Sequence, residues 1–232
     1  KLAQSLYEDG KYRKAAQLYE QLKVSYRGKP QAERIIFFYA NALLETKNYI
    51  LAAYEFETFV KAYLKSQKAD EAYFLMAHAY YMTSPNFSLD QTDTYEALDK
   101  LQEFINRYPE SERMERANAM VQELRIKTER KGFEIAKQYH TIRDYKAAMK
   151  ALDNFIADNP GTSYREGALF VQFSAAATLA INSVAYKKEN RLKDAKSKFE
   201  NFKRLYPEST HMEDAQKLLE DIEQEILTFA SN

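Results

Sequence analysis

Apolar residues recur along this chain at spacings of three, four and seven, which is the periodicity of an amphipathic helix. An alanine is followed four residues later by an aromatic residue or leucine, and seven residues later by another. The pattern begins five times, at Ala15, Ala52, Ala97, Ala148 and Ala195. Residues at these offsets share one helix face, so the alanine lets a neighbouring helix approach while its bulky followers fill the adjacent groove. A pattern repeated across the whole chain indicates repeat architecture.

Proline marks the end of the last three units, twelve residues after the repeat alanine. Proline cannot continue a helix and restricts the residue before it. The second helices are therefore predicted to end near Tyr108, Asn159 and Tyr206. Two residues after each proline stands a hydroxyl residue: Ser111, Thr162 and Ser209. We expect these hydroxyls to cap the helix that follows. The pairs Ser163–Glu166 and Thr210–Glu213 match the capping box.

Each unit also needs a turn between its two helices. Gly10 and the polar residues Lys47, Asn48, Arg143 and Asp144 are predicted to supply it. The first helix of each unit is expected to end before a residue that stands three positions ahead of the repeat alanine: Tyr12, Tyr49, Tyr145 or Leu192. One insertion is visible at residues 83–93, where Pro85 interrupts the helical pattern.

These units resemble the tetratricopeptide repeat, a helix–turn–helix of roughly 34 residues with the same order of alanine, aromatic residue and proline. The predicted fold is an all-α solenoid of about five such repeats, closed by a helix from Thr210 to about Phe229. Residues 1–111 are expected to hold repeats 1–3 and a peptide-binding groove. Residues 112–232 are expected to hold repeats 4 and 5, the closing helix and a surface for partner docking.

Composition narrows the function further. Thirty-four basic and 34 acidic residues give a formal net charge of zero, which is evidence against a nucleic-acid binder. Cysteine is absent, the three histidines lie in different units, and the five glycines are isolated. We therefore expect no catalytic residues, no metal site and no cofactor. The apolar stretch at 168–186 contains several polar residues and is interpreted as a buried helix and not as a membrane span.

In solenoids of this type the first helices line a concave groove. Its predicted lining is Tyr7, Phe37, Asn41, Leu44, Phe74, His78 and Tyr81. Aromatic and amphipathic side chains on a rigid groove suit an extended peptide with apolar anchors. The alternative, that several of these residues simply pack against the adjacent unit, stays open at this point.

Charge segregates towards the C-terminus. Residues 187–204 carry a net charge of +5, and residues 208–225 carry −6. The basic residues predicted to face a partner are Lys187, Arg191, Lys193 and Lys196. Two interpretations stand: the acidic closing helix lies antiparallel on the basic helix and neutralises it, or the basic helix steers an acidic partner.

A more specific resemblance lies in the run SPNFSLDQTDT at 84–94, followed by Ala97, Phe104 and the Tyr-Pro-Glu-Ser of 108–111. This segment is similar to the BamD family, the outer-membrane lipoproteins of the β-barrel assembly machinery. Gly10-Lys11-Tyr12 and Ala15-Ala16 also match the opening of that family. Pro30 departs from it, because it comes three residues later than the family's Tyr-Pro.

The resemblance implies a non-enzymatic adaptor on the periplasmic face of the outer membrane, held by a lipid anchor encoded upstream of Lys1 in the precursor. Its implied partners are the barrel-forming assembly subunit, bound mainly by the C-terminal units, and unfolded outer-membrane proteins, bound by the N-terminal units. The alternatives are another tetratricopeptide scaffold of the cell envelope, or a solenoid that shapes a separate catalytic domain, as in lytic transglycosylases.

Overall fold

The computed structural model describes residues 1–230, and within that range the chain forms eleven α-helices and no strand. The helices are α1 Leu2–Glu8, α2 Tyr12–Ser25, α3 Ala32–Glu45, α4 Tyr49–Ala62, α5 Ala69–Thr83, α6 Thr92–Arg107, α7 Met114–Thr141, α8 Tyr145–Asp158, α9 Arg165–Ile181, α10 Ala185–Leu205 and α11 Met212–Ala230. Helices that are consecutive in sequence pack as hairpins, which confirms the all-α repeat fold. The chain divides into two compact units, unit 1 of residues 1–125 and unit 2 of residues 126–232.

Most predicted boundaries are confirmed to within two residues. Helices α6, α8 and α10 end one residue before the predicted positions, and α11 is the closing helix. The first helix of the last unit, α9, ends before Leu192 as predicted, but it ends at Ile181, and α10 begins seven residues before Leu192, at Ala185. Val184 breaks the chain there in an extended conformation (φ −63°, ψ 149°), without the glycine or proline that would mark a turn in the sequence. The predicted functional division after residue 111 stays a prediction. The boundary between the two compact units falls between residues 125 and 126, within the range of α7.

The turns inside three units share one backbone geometry. Gly10, Lys47 and Arg143, each five residues before a repeat alanine, have φ of 73°, 61° and 65°. In each turn the next N–H donates to a carbonyl five residues back, for example Lys11 N to Leu6 O at 2.8 Å. This is the Schellman ending of a helix, in which a left-handed residue lets the last carbonyls find donors. The turns therefore confirm the sequence prediction, including two at non-glycine residues.

The predicted capping oxygens act differently. Ser111, Thr162 and Ser209 lie three residues before the next helix, and each oxygen accepts from the backbone N–H two residues on. Helix α9 has Tyr164 at its N-cap with no side-chain capping bond, so the predicted Ser163 capping box is wrong. The hydroxyls order the loop instead, since each one bonds within its own turn.

Two of these loops, and the corresponding loop at Ser66, also carry a hydroxyl-to-carboxylate bond to the preceding unit, which we call the serine latch. The bonds are Ser66 to Glu33 (2.5 Å), Ser111 to Asp70 (2.9 Å) and Ser209 to Glu166 (2.5 Å). Each acid is the second residue of a first helix, where the helix dipole favours negative charge. Ser66 stands fourteen residues after its repeat alanine, as Ser111 and Ser209 do, although its unit has no proline. Hydroxyl and acid together hold successive helical hairpins in register.

Both units bury the repeat alanines completely. Ala15, Ala52 and Ala97 in unit 1 and Ala148 and Ala195 in unit 2 have no exposed surface. In unit 1, aromatic rings of first and second helices meet around these alanines, as Phe37 does with Phe59 and Phe74 with Phe104, both at 5.5 Å between centroids. In unit 2 the core is built on the alanine-rich helix α9, whose Phe173 contacts Phe199 of α10 at 5.4 Å.

Candidate functional site

One row of predicted groove residues lies along α5. The ring of Phe74 stacks on His78 with 6.3 Å between centroids, and His78 stacks on Tyr81 at 6.2 Å. Phe74 is buried and its ring contacts Phe104, whereas His78 and Tyr81 are half-buried. The structure thus brings these three residues together. Phe74 is the buried end of the row, and His78 and Tyr81 are its accessible part.

Polar groups surround the accessible end of this row, which is formed by His78 and Tyr81. Among residues 1–230, His78 Nδ1 is buried without a hydrogen-bond partner. Burial and the nearby Arg116 lower the pKa of His78, so the ring is neutral at pH 7. The Tyr81 hydroxyl donates to Glu123 of α7, and this bond together with burial raises the pKa of Tyr81 to about 12. The row therefore presents a neutral imidazole and a phenol held by a carboxylate.

The second group of predicted groove residues lies on α1 and α3. Tyr7 and Phe37 both contact Phe38, at 5.3 and 5.8 Å between centroids, so Phe38 joins the two. Phe37 is 6% exposed, whereas Tyr7 and Leu44 are half-buried. The Asn41 amide donates to the carbonyl of Phe37 at 2.9 Å, within its own helix. For Phe37 and Phe74 the packing interpretation of the sequence holds, and the remaining five residues keep accessible surface.

A cavity of about 360 Å³ opens beside Phe37. Its walls are Pro30, Glu33, Arg34, Phe37, Phe38, Phe59 and Lys68. The Lys68 ammonium lies 5.4 Å from the centre of the Phe37 ring, and the Arg34 guanidinium lies 5.6 Å from that of Phe38. This arrangement combines aromatic walls with two cations. Sequence reasoning missed Phe38, Arg34 and Lys68, because the repeat offsets assign one groove residue per turn and say nothing about the loops.

The predicted docking residues of unit 2 lie on α10. Lys187, Lys193 and Lys196 are exposed, and Arg191 is half-buried with its guanidinium donating to Ser183 Oγ at 2.6 Å. Lys193 pairs with Glu189 one turn earlier at 2.6 Å. Lys187 lies over the exposed ring of Tyr186 at 5.0 Å. The four residues lie within ten positions of one helix, and three of them present an ammonium to solvent.

Two ion pairs join α10 to the closing helix α11. Lys188 pairs with Glu225 at 2.5 Å, and Lys196 pairs with Glu223 at 2.9 Å. The order of the pairs, with the earlier lysine meeting the later acid, is that of antiparallel helices. This supports the interpretation in which the acidic helix partly neutralises the basic one, and Lys196 takes part in that neutralisation.

Within residues 1–230 no cluster of histidine, cysteine, aspartate or glutamate is placed to hold a metal ion. In the same range no helix combines the length and apolar character that crossing a bilayer requires. What the described part of the chain offers is surface: an aromatic row and cavity in unit 1, and a basic helix in unit 2.

Stacked helical hairpins with aromatic and charged surfaces define a repeat protein of the tetratricopeptide class. A family model described as outer membrane lipoprotein, YfiO, matches residues 1–192 and, in a second segment, 132–228. The chain belongs to this YfiO family of outer membrane lipoproteins, which confirms the resemblance found in its sequence.

A curated relative agrees with the family. The chain is 27% identical over 93 residues to the outer membrane protein assembly factor BamD of Helicobacter pylori. The matched segment is 40% of this chain and 42% of the relative's length. The match therefore spans less than half of that protein.

Proposed function

We propose that this protein is a non-enzymatic adaptor of outer-membrane β-barrel protein assembly, acting at the periplasmic face of the outer membrane with a lipid anchor in its precursor. The observation that carries the proposal is membership of an outer membrane lipoprotein family, together with a relative named as an outer membrane protein assembly factor. The binding surfaces described above support an adaptor, since they fit polypeptide segments.

In this proposal, unit 1 binds unfolded outer-membrane proteins through a segment that ends in an aromatic residue. The accessible residues of the groove are Tyr7, Asn41, Leu44, His78 and Tyr81. An aromatic side chain fits the cavity beside Phe37, and the cations of Arg34 and Lys68 attract a terminal carboxylate. Buried Phe37 and Phe74 act through the residues that they support.

The groove is tested by peptide binding to Tyr81 variants. A peptide with a C-terminal phenylalanine should bind Tyr81→Ala about 5- to 30-fold more weakly than the unsubstituted protein, the range for losing an anchor worth about 1–2 kcal/mol. Tyr81→Phe separates the ring from its bond to Glu123. The matched control is Tyr95→Ala on α6, because Tyr95 is 57% exposed and lies outside the groove. Equal affinity of all four proteins, with unchanged circular dichroism, would remove the groove from the proposal.

In the same proposal, unit 2 binds the barrel-forming subunit through Lys187, Arg191, Lys193 and Lys196. Charge reversal at Arg191 and Lys193 should slow association with that subunit and flatten the dependence of the rate on ionic strength. Lys217→Glu on α11 is the control, since Lys217 is also exposed and also pairs one turn away on its own helix. Association rates that are unchanged at both low and high salt would show that α10 is not the docking surface.

A further inference from the structure

A second cavity in unit 1 lies away from the groove, between α2 and α4. It has a volume of about 430 Å³ and is lined by Lys23, Val24, Arg27, Gly28, Ala32, Ile36, Tyr54, Glu55, Thr58 and Tyr63. This is the size of cavities that hold one or two side chains or a small ligand. Most of the wall is apolar, and the charged groups belong to three residues.

Glu55 is the unusual member of this lining. It is 2% exposed, its Oε1 accepts from Lys23 Nζ at 2.5 Å, and its Oε2 has no hydrogen-bond partner among residues 1–230. Lys23 is also held over the ring of Tyr39 at 5.1 Å. A buried carboxylate oxygen without a donor costs free energy, so Glu55 depends on the ammonium of Lys23 to offset its burial.

Arg27 supplies the opposite charge. Its side chain is exposed, and in the described part of the chain its guanidinium has no carboxylate within ion-pairing distance. Since Glu55 is neutralised by Lys23, the cavity carries one positive charge in excess. Charge complementarity therefore favours an occupant that carries a carboxylate.

Apolar surface continues beyond the cavity. Val24 is 74% exposed and Tyr54 is 60% exposed at the rim, and Ile50, one turn before Tyr54 on α4, is 78% exposed. Residues four apart share a helix face, so Ile50 and Tyr54 extend the apolar surface along α4. A small molecule that fits the cavity leaves this surface in water, whereas a chain that crosses it covers both.

We propose that this surface, which we call the α2–α4 site, binds an extended segment of another protein. An apolar side chain of the segment enters the cavity, and a neighbouring acidic side chain meets Arg27. The inference does not depend on the proposed assembly function, because it uses neither the groove nor unit 2.

The experiment measures fluorescence anisotropy of a labelled octapeptide, Gly-Ser-Leu-Asp-Leu-Asp-Ser-Gly, at low salt. Binding should saturate, and its affinity should fall about fivefold or more in Arg27→Gln and in Tyr54→Ser. Both substituted side chains are exposed, so thermal melts should stay unchanged. The matched controls are Arg13→Gln on α2 and Tyr95→Ser on α6, both exposed and outside the lining, and each should change affinity by less than about twofold.

Two comparison peptides with the same label separate the contribution of the apolar side chains from that of the acidic ones. Replacing leucine by serine should abolish saturation, and replacing aspartate by asparagine should weaken binding to the same degree as Arg27→Gln. Absence of saturation below about 1 mM peptide, which is an affinity of about −4 kcal/mol, would overturn the proposal. Equal losses in the control variants would overturn it as well. The proposal would also be overturned if sodium decanoate displaced the peptide from the unsubstituted protein and Tyr54→Ser did not change the affinity. That result would assign the cavity to a small amphiphilic acid.

Discussion

Unit 1 and unit 2 use the same repeat pattern but stabilise it with different chemistry. In unit 1 the first helices carry aromatic residues, and half-buried polar groups such as His78 and Tyr81 line their accessible side. In unit 2 the central helix of the core, α9, is alanine-rich. The last two helices of that unit, α10 and α11, are joined by ion pairs such as Lys188 with Glu225.

The difference follows from position in the array. A repeat inside an array buries both faces against neighbours, whereas the last helix has a neighbour on one side and needs a polar outer face. Helix α11 fits this requirement, since Ala215 and Ile222 are fully buried while Glu213, Glu220 and Glu223 are exposed. The acidic character of the chain's end is therefore explained by capping, and it makes the adjoining basic helix less available to a partner.

The largest expected effect tests whether the two units are equally dependent on the repeat pattern. Phe56 and Phe199 stand four residues after a repeat alanine and are 0% and 1% exposed. Phe56→Ala and Phe199→Ala should each destabilise by about 3–5 kcal/mol through lost burial and a cavity. Hydrogen exchange should show the loss of protection in unit 1 for the first variant and in unit 2 for the second. A loss below about 1 kcal/mol at either position would contradict the shared core.

The serine latch is expected to matter similarly in both units. Ser111→Ala and Ser209→Ala each leave a carboxylate, Asp70 or Glu166, without its hydroxyl donor. The expected cost is about 0.5–1.5 kcal/mol in chemical denaturation, the usual value of one such bond. Ser5→Ala and Ser197→Ala, exposed on α1 and α10, are the controls and should be neutral or slightly stabilising, because alanine favours helix. A latch variant that behaves as its control does would show that the loop bonds are incidental.

Acid should weaken both units through half-buried histidines. Burial lowers the pKa of His78 in unit 1 and of His140 in unit 2 below the ordinary value of 6.5. The unfolded chain therefore binds more protons than the folded chain near and below pH 6.5, so stability is full above that pH and is lost as the pH falls. His78→Leu should flatten this fall and cost little at pH 7, because His78 Nδ1 has no partner to lose within residues 1–230.

His140 offers the contrast. Its Nε2 lies 3.1 Å from Ser174 Oγ, so His140→Leu should lower stability at pH 7 while it also flattens the acid limb. Denaturant midpoints measured between pH 5 and pH 8 check both variants. An unsubstituted protein with constant stability over that range would show that neither histidine resists protonation.

The smallest effects concern the ion pairs of the closing helix. Lys188 is 18% exposed and pairs at 2.5 Å, whereas Lys196 is 47% exposed. Lys188→Met should cost about 1 kcal/mol, and Lys196→Met about 0.2–0.5 kcal/mol, because water screens the more exposed pair. Lys193→Met, which removes a pair within α10, is the control and should be near neutral. Equal losses in all three variants would mean that an ion pair between two helices stabilises the protein no more than a pair within one helix.

Some of this protein was determined by its sequence alone. The repeat offsets place Ala15 and its counterparts on buried helix faces, and proline positions define helix ends, because both effects are local and steric. The turn at Lys47 followed from polar composition without glycine. The run at 84–94 indicated the family, since an uncommon run of residues carries more information than a helical period.

Tertiary structure decided the rest. The partner of Ser111 is a carboxylate 41 residues away, and no local pattern announces a bond across that separation. The start of α10 depended on an extended Val184, a residue type with no strong turn preference. Periodicity placed Phe37 and Phe74 on the first-helix face but did not show that neighbouring rings cover them. Burial is a property of the packed neighbours, so the sequence gives the face and the fold gives the exposure.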